Sequence, residues 1–209
     1  RDQCVAWQRS SRPGTAGTAG QQTTRAIDPD KLMAFVFRAV DEVGATLNTA
    51  LVVMGDALGY YRAMADGQAL TPAELAEGTG TDERYVREWL SAQAAAGYVE
   101  YDAAAQTFHM TEEQVFALAT EGSPAFVPGA FQVALGALKA VPKLTGVFRT
   151  GLGFGWHEHD PWLFQGTERF FRPGYAANLV ASWIPALDGM EARLQAGAQV
   201  ADVGCGHGA

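Results

Sequence analysis

The chemistry in this chain is concentrated near its C-terminal end. Asp202 to Gly208 reads Asp-Val-Gly-Cys-Gly-His-Gly, preceded by the apolar residues Val200 and Ala201. The pattern predicts a buried strand over Val200–Val203 that opens into a glycine turn. Gly204, Gly206 and Gly208 lack a Cβ, so a ligand can lie close to the backbone N–H groups around Cys205. Asp202, at the strand end, can accept hydrogen bonds from loop amides or from a ligand ammonium. Such a turn suits a nucleotide-like cofactor. A dinucleotide fingerprint is also satisfied by Gly204, Gly206 and Ala209, so glycine spacing alone leaves two cofactor classes open.

A second cluster lies upstream. Gly151-Leu152-Gly153-Phe154-Gly155 looks like a phosphate loop but follows no strand, and reads as a connector. Trp156-His157-Glu158-His159-Asp160 comes next. Histidines at i, i+2 diverge on a helix, and on a strand they lack a third ligand, so no metal site is expected. His157 and His159 remain candidates for proton transfer.

These groups need elements to hold them. Asp28 and Pro29 open a helix with Leu32, Phe35, Val36, Ala39, Val40 and Val43 at helical spacing. A second helix is expected over Thr46–Met64, with Leu47, Leu51, Met54, Leu58 and Tyr61 as its stripe. Both are apolar enough to pack against a partner subunit. Thr71-Pro72-Ala73-Glu74 is a capping box that opens a short helix. Another helix follows Thr81-Asp82, with Tyr85, Val86, Trp89, Leu90 and Gln93 inward and Gly97 as its left-handed cap. Tyr98–Tyr101 and Thr107–Met110 read as a hairpin. The order is that of a winged helix-turn-helix. Thr111–Gln114 is a further capping box. Pro128–Arg149 is helical, interrupted at Pro142, with Phe131, Leu135, Leu138, Val141 and Leu144 as its stripe. Pro161–Arg172 and Tyr175–Trp183 are expected as helices parted by Pro173-Gly174, before a short helix from Asp188 or Gly189 to Leu194.

The segments Leu58–Met64, Leu70–Ala76, Arg84–Leu90 and Ala95–Glu100 resemble the N-terminal winged-helix domain of small-molecule methyltransferases. Asp202 followed by Gly204, Gly206 and Gly208 is similar to the first motif of class I S-adenosylmethionine-dependent methyltransferases, in which the acid is part of the motif. Gly155–His159 and Gly166–Tyr175 further resemble a bacterial, actinobacterial-type subgroup. The resemblance implies S-adenosylmethionine as cofactor, contacted by Asp202, Gly204, Cys205, Gly206 and Gly208, with Tyr175 as a lid. It implies a small-molecule methyl acceptor with an O, N or C nucleophile, and a homodimer through the N-terminal helices.

The expected fold class is mainly α with a small β-hairpin, plus the first strand of a truncated Rossmann-like α/β domain. The organisation is a disordered leader over 1–27, a winged-helix dimerisation domain over 28–120, a helical linker or substrate lid over 121–174, and the start of the methyltransferase domain over 175–209. The chain opens on Arg1 and stops within the motif, which reads as the front portion of a longer enzyme, inactive alone and expected to bind the cofactor weakly or not at all.

Composition narrows the alternatives. The 209 residues carry a net charge of -8, with 48% apolar residues. Thr71–Glu113 holds nine acidic residues against the basic Arg84 and Arg87, a net of -7. A winged-helix DNA reader needs a basic footprint, so that class is disfavoured. A dimerisation module without activity is the third reading. Cys4 and Cys205 build no disulfide framework, and no apolar run approaches the roughly 18 residues of a membrane span, so a cytoplasmic setting is expected.

Overall fold

The computed structural model describes residues 26–206 and 208. Most of the leader, Cys4, His207 and Ala209 lie outside the described residues. The chain divides into two compact units, residues 1–38 and 39–209. The described part of the first unit contains the opening turns of helix α1 (Pro29–Leu58). Asp28 caps them, its Oδ1 accepting from the Asp30 and Lys31 amides at 3.1 and 3.2 Å.

One helix of 30 residues replaces the two expected over 28–64. Thr46 does not cap a new helix. Its hydroxyl donates back to the Glu42 carbonyl at 2.8 Å, and Gly44 sits within the helix at a cost of about 1 kcal/mol relative to alanine. The break comes at Gly59, in the left-handed region at φ 78°, before the single turn α2 (Tyr60–Ala63). The core-facing side also differs from the expected stripe. Thr49, Val52, Val53 and Gly55 are buried, while Leu47, Met54 and Leu58 are exposed. The reason is Gly55: the indole of Trp89 lies where a Cβ would be, and its Nε1 donates to the Leu51 carbonyl at 2.8 Å.

In the second unit, α3 (Pro72–Thr79) opens with its capping box and α4 (Glu83–Ala95) with Asp82 as cap. Gly97 follows α4 at φ 75°, and the Tyr98 amide bonds back to the Gln93 carbonyl at 2.9 Å, closing a Schellman turn. Tyr85 is exposed, not inward, because it lies about 100° around the helix from Val86, outside the Val86, Trp89, Leu90, Gln93 stripe. Strands β1 (Glu100–Asp102) and β2 (Thr107–His109) pair antiparallel, with Tyr101 opposite Phe108. Leu70 adds a bridge to Phe108 on the other edge. This is a winged helix-turn-helix. Its core includes Val52, Tyr61, Met64, Leu75, Val86, Leu90 and Val99. One polar chain crosses that core. The Tyr61 hydroxyl donates to Gln93 Oε1 at 2.6 Å, and Gln93 Nε2 donates to Asn48 Oδ1 at 2.8 Å. A buried amide is tolerated because both its ends are satisfied.

The remaining helices are α5 (Glu112–Leu118), α6 (Pro128–Leu138), α7 (Val141–Thr150), α8 (Pro161–Asn178) and α9 (Met190–Gln195). The interruption near Pro142 is present, at the junction of α6 and α7. The contact face of α6 is its glycines rather than the expected large apolar stripe. A Cβ at Gly129 would sit 2.7 Å from the Phe170 amide nitrogen, and one at Gly166 would sit 2.7 Å from that of Val133. Helices α6 and α8 therefore meet backbone to backbone. Helix α8 runs through Pro173 where a break was expected. The buried face of Leu163, Gly166 and Pro173 offsets a penalty of about 3 kcal/mol.

The predicted strand over Val200–Val203 does not form. A strand is stabilised by its ladder, and no described segment pairs with these residues. Val203 and Gly204 instead form a turn, with Val203 95% exposed.

Candidate functional site

Helix α8 has two faces with different work. One carries Leu163, Gly166, Arg169 and Pro173 toward the helices. Arg169 fixes the setting. Its Nη1 and Nη2 donate to the two carboxylate oxygens of Asp56 on α1 at 2.7 and 3.2 Å. Its Nε donates to Glu121 at 3.3 Å, and the guanidinium stands 5.4 Å from the centre of the Phe126 ring. The hydrogen bonds to Asp56 raise the Arg169 pKa, so the charge is firmly held.

The other face lines a cavity of about 900 Å³. Phe164, Thr167, Glu168, Phe171 and Tyr175 come from α8 at helical spacing. The helix then widens into a π-turn over Leu179–Trp183, in which the Ile184 amide bonds to the Leu179 carbonyl at 2.9 Å. In an α-helix a four-residue step overshoots the turn of about 3.6 residues; in the wider π-turn it falls short. Tyr175, Leu179 and Trp183 therefore stay on one wall. Their aromatic members touch: Phe171 stacks on Tyr175 at 6.0 Å, and Tyr175 meets Trp183 edge-on at 6.0 Å.

The single 3-10 turn Trp156–Glu158 supplies Trp156 and His157. Gly155 makes room for His157: a Cβ there would lie 2.6 Å from the imidazole Cε1. The turn is tied by the Gly155 amide donating to Glu158 Oε2 at 2.7 Å. Asp160 caps α8 through the Trp162 amide at 3.0 Å. That bond, with the nearby Lys139 ammonium, holds its carboxyl below the usual range.

The glycine segment closes the remaining side with Val200, Ala201, Asp202, Gly204, Cys205 and Gly206. Gly204, Gly206 and Gly208 have φ of 82°, 58° and 79°, conformations that favour glycine. Nothing lies within 4 Å of where their Cβ atoms would be. The glycines here serve backbone shape, and the space before the turn is open.

Of the residues singled out from sequence, Asp202, Gly204, Cys205, Gly206, Tyr175 and His157 share this cavity, while Gly208 and His159 do not line it. His159 packs edge-on against Phe154 at 4.6 Å, with its Nδ1 shielded and without a hydrogen-bond partner. The cavity also brings in Phe164, Glu168, Phe171, Leu179 and Trp183, which sequence reasoning did not place there. The signal was present as apolar and acidic residues at 164, 168, 171, 175, 179 and 183, but the assumed break at Pro173 divided it.

Residues 46–120 match the model of the Rv2258c-like winged HTH domain. No curated protein matches the chain. Among solved structures, an O-methyltransferase family protein from Burkholderia thailandensis is similar at 19% identity and a TM-score of 0.52, over 68% of this chain and 43% of that one. A structure described as PigF with SAH is similar at 16% identity and a TM-score of 0.50, over 72% of this chain and 48% of that one. Residues 46–120 form a winged helix-turn-helix domain. The chain shares the fold of the corresponding part of these structures and spans less than half the length of each. No described helix is long and apolar enough to cross a membrane.

Proposed function

We propose that this chain is the front portion of an S-adenosylmethionine-dependent methyltransferase acting on a small molecule. The observation that carries the reading is the joining of Asp202 and the glycine turn to the aromatic face of α8 in one cavity. The residues fit the cofactor. Asp202 is an acceptor for an ammonium, the open backbone at Gly204 and Gly206 admits close approach, and Tyr175 and Trp183 offer π faces to a sulfonium. When bound, the cofactor supplies an electrophilic methyl group. The chain's share of the chemistry is positioning: Asp202, Cys205 and the glycines hold one reactant while the α8 wall holds an acceptor O, N or C nucleophile against it. His157, on the cavity edge, is the better placed of the two histidines to take a proton from that nucleophile. Titration calorimetry with S-adenosylhomocysteine tests the reading. Weak but saturable binding is expected, because the chain spans less than half the length of the solved relatives, and Asp202→Ala is expected to weaken it at least about tenfold, on the scale of one charge-assisted hydrogen bond. Binding unchanged in that variant would overturn it.

The same reading includes a homodimer through α1. Met33, Val40, Leu47 and Met54 recur every seven residues, with Val36 and Val43 three places after the first two; all six are between 39% and 66% exposed. This is the 3–4 spacing of a helix seam, and a second copy of α1 is complementary to it. Light scattering is expected to give a dimer mass that Val40→Glu reduces to the monomer. The winged helix is assigned to assembly and not to DNA, since α4 exposes Glu83 and Glu88, and its Arg87 is engaged by Glu83.

A further inference from the structure

The turn that brings Trp156 and His157 to the cavity is held from behind by an unusual contact. Among the described residues, His159 Nδ1 is the one buried side-chain polar atom without a hydrogen-bond partner. Its ring lies against Phe154 at 4.6 Å and Trp156 at 5.4 Å, and Trp156 meets Phe164 of α8 at 5.3 Å. His159 does not line the cavity itself; it reaches the wall through Trp156. The segment leaves α7 at Gly151, φ 72°, and is fastened farther on. Lys143 Nζ donates to the Glu158 carbonyl at 3.3 Å and stands 5.8 Å from the centre of the Phe154 ring. Lys139 Nζ is 3.1 Å from the Asp160 carboxylate and 3.9 Å from the centre of the Trp162 ring. The charged groups around the imidazole are thus engaged elsewhere. The Glu158 carboxylate accepts from the Gly155 amide, and that of Asp160 from Lys139 and the Trp162 amide. The Lys139 and Lys143 ammonium groups carry the same charge as a protonated imidazole, and His157 lines the cavity.

We propose that His159 is a proton-operated catch for the cavity wall: the neutral ring keeps Trp156 and His157 in place, and protonation releases the turn that carries them. As regulation of a methyltransferase this rests on the reading above; the movement itself does not. A neutral imidazole carries one N–H, which can sit on Nε2 and leave Nδ1 as a bare lone pair. The protonated ring must carry a second N–H at Nδ1. In the closed turn that N–H has no acceptor, and its charge lies among aromatic rings. A buried charge without a partner is costly. Aromatic faces attract cations, but Lys143 already stands over Phe154. Once the turn swings out, water accepts from both nitrogens. The closed form therefore takes up the second proton less readily than the open form, so falling pH favours the open one.

Fluorine NMR of the 209-residue chain labelled with 5-fluorotryptophan tests this, with the Trp156 signal assigned by Trp156→Phe. Between about pH 8 and about pH 5 that signal is expected to move, or to divide, toward the position of the fully solvated side chain. The solvated share is expected to rise at least about fivefold. The Trp89 signal is expected to stay, because the winged-helix core takes no part. His159→Phe keeps a ring against Phe154 and Trp156 but has no proton to gain, so its Trp156 signal is expected to hold the closed position throughout. His159→Asn has none to gain either, and its signal is expected to be independent of pH even where the turn packs less well. His157→Gln is expected to behave as the unaltered chain does. A Trp156 signal indifferent to pH would overturn the proposal. So would a shift that survives in both His159 variants, one that vanishes in His157→Gln, or one in which Trp89 moves with Trp156. The methyltransferase reading is tested apart from this by its own titration with S-adenosylhomocysteine, whose failure leaves the fluorine result decisive for the catch.

Discussion

The winged-helix region and the cavity region use aromatic residues in opposite ways. In the winged helix, Tyr60, Tyr61 and Trp89 are at most 5% exposed and pack edge-on at 4.8 and 5.3 Å. Around the cavity, Phe171, Tyr175 and Trp183 touch each other at similar distances yet remain 43% to 48% exposed. Edge-on and stacked rings alone therefore do not define a core. What distinguishes the first set is closure: Gly55 admits the Trp89 indole, the Leu51 carbonyl accepts its N–H, and Gln93 satisfies Tyr61. The second set has a close-packed backing through Gly129 and Gly166 but an open front. A rigid wall with an uncovered aromatic face is what a binding site needs, and it contributes little to folding.

The sharpest test replaces one tryptophan from each region. Trp89→Ala removes a closed core side chain and its hydrogen bond to the Leu51 carbonyl. It is expected to destabilise the protein by about 3–5 kcal/mol in urea unfolding. Trp183→Ala is expected to cost under about 1 kcal/mol, because its surface is already hydrated. Equal losses would erase the distinction between core and wall.

The buried polar chain gives a smaller effect with its own pH signature. Burial pushes the Tyr61 hydroxyl well above the ordinary tyrosine pKa, with Tyr98 and Asp56 adding to the shift. The folded state thus binds this proton more tightly than the unfolded chain. Its contribution to stability is complete below the unfolded-state pKa of about 10 and is lost as pH rises above it. Urea midpoints are expected to fall from about pH 10 upward, and less steeply in Tyr61→Phe. Gln93→Leu leaves the Tyr61 hydroxyl and Asn48 without their partner and is expected to cost about 1–3 kcal/mol at neutral pH. An identical alkaline fall in Tyr61→Phe would assign the pH dependence elsewhere.

The two regions were also unequally readable in the sequence. The winged helix is legible because its signals are local: capping boxes at Thr71 and Thr111, a left-handed Gly97, and two short segments, Tyr98–Tyr101 and Thr107–Met110, at hairpin spacing. The errors arose where tertiary contact outweighs local preference. A boundary is expected between Val43 and Thr46, but Gly44 and its neighbours lie within the single helix α1. Gly129 and Gly166 carry no local signal, yet they let α6 and α8 meet backbone to backbone. Pro173 reads as a stop, but the buried face of α8 carries the helix past it. The glycine turn was placed correctly as a turn. The strand before it was not, since alternation and apolarity cannot supply a pairing partner. The resemblance puts Asp202 and Tyr175 at one cofactor and the two do line one cavity; the residues of α8 before Pro173 that join them there, Phe164, Glu168 and Phe171, are hidden by the expected break.

The smallest effect probes how local the winged-helix signals are. The Thr71 amide and hydroxyl both donate to Glu74 Oε2 at 2.7 Å, while the Glu74 amide donates to Thr71 Oγ1 at 3.3 Å. The Thr71 amide, then its hydroxyl, holds the Glu74 carboxyl below its ordinary value although the group is fully exposed. A lowered folded-state pKa means that the capping contribution is present above the unfolded-state value and fades as pH falls through the folded one. The Glu74 side-chain NMR titration is expected to have a midpoint below that of an unfolded peptide. Thr71→Val removes the hydroxyl donor but keeps the amide, so the midpoint is expected to move only part of the way back. A complete return would mean that the amide bond depends on the hydroxyl, and that the box acts as one unit rather than as two separate caps.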